Sequence, residues 1–166
     1  MGFRSENEIF NFDFRDATIE GVEIGPEEIL IKVDGLIVEP ENSQNENYTK
    51  SYADTSKIRL TGGKIKKVIK DGYKRYDADN NLLESVDDKS LSPDEGKKVL
   101  ENAKGAFLFA ADVNDSSTDE LYSYDFSIEI PSKVAYDTSV TDSYSITITF
   151  TKAVVTWNKY MNKVTE

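Results

Sequence analysis

Residues 143–157 alternate as a strand does, and the alternation changes phase partway along. Tyr144, Ile146, Ile148 and Phe150 alternate with Ser145, Thr147, Thr149 and Thr151. Successive strand side chains point to opposite faces, so this puts an apolar row on one face and hydroxyls on the other. Beyond Phe150 the apolar set becomes Ala153, Val155 and Trp157, with Val154 opposite. A strand read this way either bulges near Lys152 or goes from half-buried to buried on both faces. Similar breaks fall at Gly21, between Ile19 and Val22, and at Gly35, within the apolar run 29–38. Three such breaks predict a strongly curved or bulged sheet.

The other strands follow from the same period. Phe10, Phe12 and Phe14 predict a first strand with an aromatic inner face, and 17–24 a second. Residues 29–38 read as one long central strand, ended by Pro40, and the Asn- and Ser-rich stretch 41–52 as an exposed loop. Gly62-Gly63 lies between two strand patterns, 57–61 and 64–70, and predicts a two-residue hairpin turn within a meander of adjacent strands. Asp79-Asn80-Asn81 predicts another turn. Residues 106–111 read as a buried strand. Tyr122, Tyr124, Phe126, Ile128 and Ile130 carry the same alternation as 143–150, so the two stretches are expected to pair across the long connection 131–142.

One helix is expected at about 93–104. Ser92 is a good N-cap, Pro93 suits the first turn, and Asp94 and Glu95 face the positive helix end. Val99, Leu100 and Ala103 share a face, Gly96 extends it, and Gly105 supplies the stop. The pattern is α+β and β-rich: an antiparallel curved sheet or β-sandwich of about eight to ten strands with one packed helix, in a single domain over 1–166.

Composition narrows the function. The 166 residues include no His and no Cys. Histidine-based triads and metal sites, thiol nucleophiles and disulfides are therefore ruled out, and no other catalytic motif stands out, so the chain is expected not to be an enzyme and to need no cofactor or metal. The lack of Cys fits a reducing cytoplasm. No apolar run reaches the roughly 20 residues of a membrane span, so no membrane partner is expected. A net charge of −11 disfavours nucleic acid and suits a basic protein partner.

Four features carry charge or aromatic surface. Asp112, Asp115, Asp119 and Glu120 form an acidic loop, the candidate surface for a basic protein. Asp77, Asp79, Asn81 and Asp88 have calcium-loop spacing, but Leu82 stands where that loop needs glycine, and a plain hairpin turn accounts for them. Residues 57–75 hold eight basic side chains against the single acid Asp71, which reads as a lysine-guarded sheet edge. Tyr48 and Tyr52 lie outside strong strand patterns and are the aromatics expected at the surface.

The run Phe14-Arg15-Asp16-Ala17-Thr18-Ile19, followed by Gly25-Pro26 and the strand pattern at 29–38, resembles the opening of small uncharacterised bacterial β-rich domains. Some of these are similar to immunity proteins that neutralise toxins. Their common form carries His where this chain has Arg15. The resemblance covers about the first quarter of the chain and implies a non-catalytic binding role such as that of a toxin inhibitor, with no site residue to carry over. Asp16 is expected to order the turn between the first two strands. The alternative is a ligand-binding or structural module at a cell surface, with calcium in the acidic loops.

Overall fold

The computed structural model describes residues 2–131 and 142–164, so the expected connection 131–142 falls almost wholly outside them. In chain order the strands are β1 (Phe3–Glu6), β2 (Phe12–Asp13), β3 (Thr18–Ile24), β4 (Glu28–Asp34), β5 (Ile37–Val38), β6 (Ser51–Ala53), β7 (Ser56–Thr61) and β8 (Lys64–Lys70). Then come β9 (Tyr73–Tyr76), β10 (Leu82–Val86), β11 (Lys89–Leu91), the helix α1 (Pro93–Glu101), β12 (Phe107–Val113), β13 (Tyr122–Ile130), β14 (Asp142–Phe150), β15 (Lys152–Trp157) and β16 (Tyr160–Lys163). Ten of them form one antiparallel sheet in the order β1-β15-β7-β4-β3-β12-β13-β14-β8-β11. The β-rich α+β class read from the sequence is therefore the observed one.

That order contains a constraint. β7 and β8 are consecutive in the chain, yet they do not pair, and neither do β14 and β15. Instead β7 pairs with β15 and β8 with β14. Runs 56–70 and 142–157 are thus two long strands lying side by side, and both bend at the same place. The Thr151 backbone N–H donates to Thr61 O at 2.9 Å, and Gly62 N–H donates to Glu27 O at 2.6 Å. Gly62 has φ +68°, and a Cβ at Gly63 would lie 2.9 Å from Leu60 O and 3.1 Å from Ile29 Cγ1. The corner therefore needs glycine for its backbone angle and again for its close approach. The expected Gly62-Gly63 hairpin is corrected here; of the expected meander, β9 and β10 do pair as chain neighbours across Asp79-Asn80-Asn81, but β7 and β8 do not. Gly62 turns the chain, and the Gly63 N–H donates to Leu60 O at 3.2 Å, but the partner of each flanking strand is distant in sequence.

The bend folds the sheet over its own core. Ile29, Ile31, Ile58 and Leu60 come from one half, and Val68, Phe126, Ile128, Ile146 and Ile148 from the other; all are buried in one cluster. Burying each such side chain favours folding by about 1.5–3 kcal/mol. The phase change at Thr151 is seen directly: Phe150, Ala153, Val155 and Trp157 are buried and Thr151 is exposed. The expected pair β13–β14 is present, in register from Tyr122 opposite Phe150 to Ile130 opposite Asp142. The break at Gly21 is a bulge, where the β3–β4 register shifts between Ile19 and Gly21.

The helix packs against β3 and β8, which belong to opposite halves of the sheet. The Ser92 hydroxyl accepts the Glu95 N–H at 3.1 Å, a cap contributing about 1 kcal/mol. Leu100 and Ala103 are buried as expected, but the helix ends at Glu101 rather than 104. Asn102 closes it, with its side-chain amide donating to Lys98 O at 2.8 Å. Gly96 is buried against β8: a Cβ there would lie 2.2 Å from Val68 Cγ2.

Four more expectations change. The aromatic first strand is mostly a 3-10 turn over Ile9–Asn11, which leaves Phe10 exposed while Phe12 and Phe14 are buried. A separate edge strand, β1, precedes it. The run 29–38 is two strands, broken at Gly35, where a Cβ would meet Asp16 O at 2.4 Å. Strand β12 is half-buried, with Leu108 inside but Phe107 and Phe109 exposed. Finally, 41–52 is not a plain exposed loop. Asn42 and Asn45 are buried, and the Asn45 amide donates to the carbonyls of Val38, Glu39 and Thr49. The Glu8 carboxylate accepts from Ser5, Asn11, and both the backbone and hydroxyl of Ser43; burial opposes its charge, but these donors hold it below the usual glutamate range.

Gly96→Ala should lower unfolding free energy by about 1–3 kcal/mol in urea titrations although alanine favours helix, because the added methyl overpacks Val68. The double variant Gly96→Ala with Val68→Ala should lose less than the two single losses combined.

Candidate functional site

Three surface features hold the residues with binding chemistry. The first is the acidic end of the folded sheet. Asp112 lies on β12 opposite Asp125 of β13, and Asp115, Asp119 and Glu120 lie on the connection 114–121. The loop is internally built. Asn114 accepts from Ser116 N–H and donates to Asp125 at 3.1 Å, and the Ser117 hydroxyl accepts from Ser123 N–H. All four candidate carboxylates are exposed, and none makes an ion pair among the described residues. Val113 and Leu121, at either end of the loop, are exposed as well. The loop thus offers free negative charge beside apolar side chains.

The second feature is a ribbon made of β9 and β10, a two-stranded sheet of its own. All four residues of β9 and all five of β10 are exposed. Tyr73, Tyr76, Leu82, Leu83 and Val86 are among them, and Leu83 is 65% exposed. Directly opposed residues share a face, so Tyr73 and Val86 lie on one side with Arg75 and Glu84, and Tyr76 and Leu82 lie on the other with Lys74 and Ser85. Arg75 and the Tyr73 hydroxyl both reach Glu84, at 3.5 and 3.2 Å. At the base, Asp71 N–H donates to Ser143 O and Gly72 N–H to the Asp88 carboxylate. Sequence reading did not single out this ribbon. Tyr and Leu in a strand pattern look like core, and nothing local shows that no second layer covers them.

The residues with calcium-loop spacing form the turn at the ribbon's tip. Asp77 Oδ1 accepts the backbone N–H groups of Asp79 and Asn81, each at 2.9 Å, and Oδ2 accepts the Asn81 amide. Asn80 takes φ +64°. The Asn81 backbone bond leads the donors that hold the Asp77 carboxyl below the usual aspartate range. Its oxygens serve the turn. No group of three or more acidic side chains among the described residues is arranged to hold a metal ion.

The third is an open polar cleft of about 630 Å³ lined by Arg15, Asp16, Tyr52, Asn162, Lys163 and Val164. Here the Phe14–Ile19 motif divides by burial. Phe14, Ala17 and Ile19 are core, while Arg15 and Asp16 are exposed. Asp16 accepts the Tyr52 hydroxyl at 2.6 Å, a bond that raises the phenol above its usual range. The turn itself is ordered by Asp13, which accepts the Arg15 N–H, so the role expected of Asp16 belongs to its neighbour. Tyr48 is exposed as expected, whereas Tyr52 is half-buried in β6. Of the basic run 57–75, Arg59 pairs with Glu28, Lys70 with Asp142 and Arg75 with Glu84; Lys57, Lys64, Lys66, Lys67 and Lys74 make no ion pair among the described residues.

The acidic loop and the ribbon are not brought together. The loop adjoins the Tyr122–Phe150 end of the β13–β14 ladder and the ribbon leaves from the Ser143 end, about 23 Å away along the strand. No helix among the described residues is long and apolar enough to cross a membrane. No family model matches the chain, and neither a curated protein nor a solved structure matches it.

The Asp77 carboxyl has a lowered pKa in the fold, so its contribution to the turn is complete above the ordinary aspartate value of 3.8 and is lost as pH falls through the lowered one. NMR should show the Asp79 and Asn81 amides shifting toward random-coil values in that acid window. Asp77→Ala should produce the same shifts at neutral pH with Tm changed by no more than about 2 °C, because the ribbon opens apart from the body. Millimolar calcium should leave Tm unchanged.

Proposed function

We propose that this chain is a non-enzymatic domain that binds a basic protein, in the manner of an immunity-type inhibitor acting on a toxin. The observation that carries the reading is the acidic loop: Asp112, Asp115, Asp119 and Glu120 are exposed and free of ion pairs among the described residues, with exposed Val113 and Leu121 beside them. Free carboxylates attract a basic partner over a Debye length and raise its association rate, while neighbouring apolar side chains supply contact area after encounter. The net charge of −11 acts in the same direction.

The product of a gene adjacent to this one is the first partner to test. Stopped-flow association should slow by about tenfold or more between roughly 50 and 500 mM salt, with dissociation changing little. The variant Asp112→Asn, Asp115→Asn, Asp119→Asn, Glu120→Gln should show a slow rate already at low salt. Association that is fast and indifferent to both salt and these substitutions would remove the acidic loop from the binding reaction.

A further inference from the structure

We infer that the β9–β10 ribbon is an insertion element that docks in a cleft of a partner protein, apolar within and basic at its rim. This rests on the protein-binding reading above but uses a different surface, at the opposite end of the β13–β14 ladder.

Apolar side chains stand on both faces of the ribbon. Tyr73 and Val86 are on one and Tyr76 and Leu82 on the other, with Leu83 where the register shifts between Leu82 and Glu84. A flat surface can cover only one face; a cleft covers both. A lone two-stranded ribbon is marginally stable in water, so leaving this much apolar surface exposed on one needs an explanation outside the isolated chain.

Charge selects the occupant. Acids stand at the tip (Asp77, Asp79) and at the base (Asp71, Asp87, Asp88), on either side of the apolar middle. Within the middle Arg75 is neutralised by Glu84, leaving Lys74 as the one free cation there among the described residues. A cleft with basic rims complements that arrangement. A second copy of the chain paired edge to edge does not. Edge-to-edge antiparallel pairing of two β9 strands would set Lys74 opposite Arg75, and pairing two β10 strands about their centre would set Glu84 against itself; like charges directly opposed are destabilising.

The test uses the full chain in its native host, with a photo-crosslinking phenylalanine analogue at Leu83 and, as control, at the exposed Lys97 of the helix. Crosslinking from Leu83 but not Lys97 should give one discrete adduct. The captured protein is then purified and titrated with wild type, Leu82→Ser with Leu83→Ser, and the acidic-loop variant. The double serine variant should keep the wild-type Tm and weaken binding by about 100-fold or more. The inference is overturned by an adduct with a second copy of this chain, by equal or no crosslinking from the two positions, or by double-serine binding within about twofold of wild type. If the serines abolish binding while salt and the acidic-loop substitutions do nothing, the ribbon stands and the acidic-loop reading falls; the reverse pattern leaves the acidic loop and removes the ribbon.

Discussion

The shared corner at Gly62-Gly63 and Thr151 is the constraint on which the rest of the structure depends. Two strands of about fifteen residues run side by side and turn together. Thr61 O accepts the Thr151 N–H there, and the Gly62 N–H donates to Glu27 O just before β4. Because both strands turn, the sheet faces itself, and residues far apart in its hydrogen-bonded order share one core. The helix can then touch β3 and β8 at once, and Gly96 makes room for Val68. A straight ribbon would leave Ile58 and Leu60 on one open surface and Ile146 and Ile148 on another.

Several of these features are legible in the sequence, for physical reasons. A period of two must slip where a strand turns, so the change from Phe150 to Ala153 marks the corner from one side. Ser92-Pro93 caps a helix through local chemistry, and matching alternation identifies β13 and β14 as neighbours. The other side of the corner is not legible. Gly-Gly between two strand patterns satisfies a hairpin turn and a bend equally well, and only β15 and β4, remote in sequence, decide between them. The same limit explains Asn42 and Asn45: polar residues read as surface until their amides find backbone carbonyls inside. It also explains Phe107 and Phe109, apolar residues left uncovered on the sheet's outer face.

The candidate surfaces divide along the same line. Acidic side chains read as exposed and are exposed, so the acidic run 112–120, which ends β12 and enters the loop beyond it, could be named from sequence. The ribbon could not, because Tyr73, Tyr76, Leu82 and Leu83 carry the pattern of core and lack only a neighbouring layer. The corner and the β13–β14 ladder fix both surfaces in place, one at each end. The body is held by nonlocal pairing, while the ribbon has its own cross-strand bonds and the Asp77 turn, so the two are expected to open with different free energies. A segment that opens readily can adapt its fit to a partner without loosening the core.

The chain has no cysteine, so engineered pairs report strand partners directly. Arg59 lies opposite Val154 when the two strands turn the corner together, whereas a two-residue hairpin at Gly62-Gly63 sets Arg59 opposite Lys66. Arg59→Cys with Val154→Cys and Arg59→Cys with Lys66→Cys, oxidised under mild conditions and mapped by mass spectrometry, separate these arrangements. A bent ribbon closes the 59–154 disulfide in the native fold and leaves 59–66 reduced. Quantitative closure of 59–66 with 59–154 left as free thiols would contradict the bend, and with it the placement of the acidic loop and the β9–β10 ribbon at opposite ends.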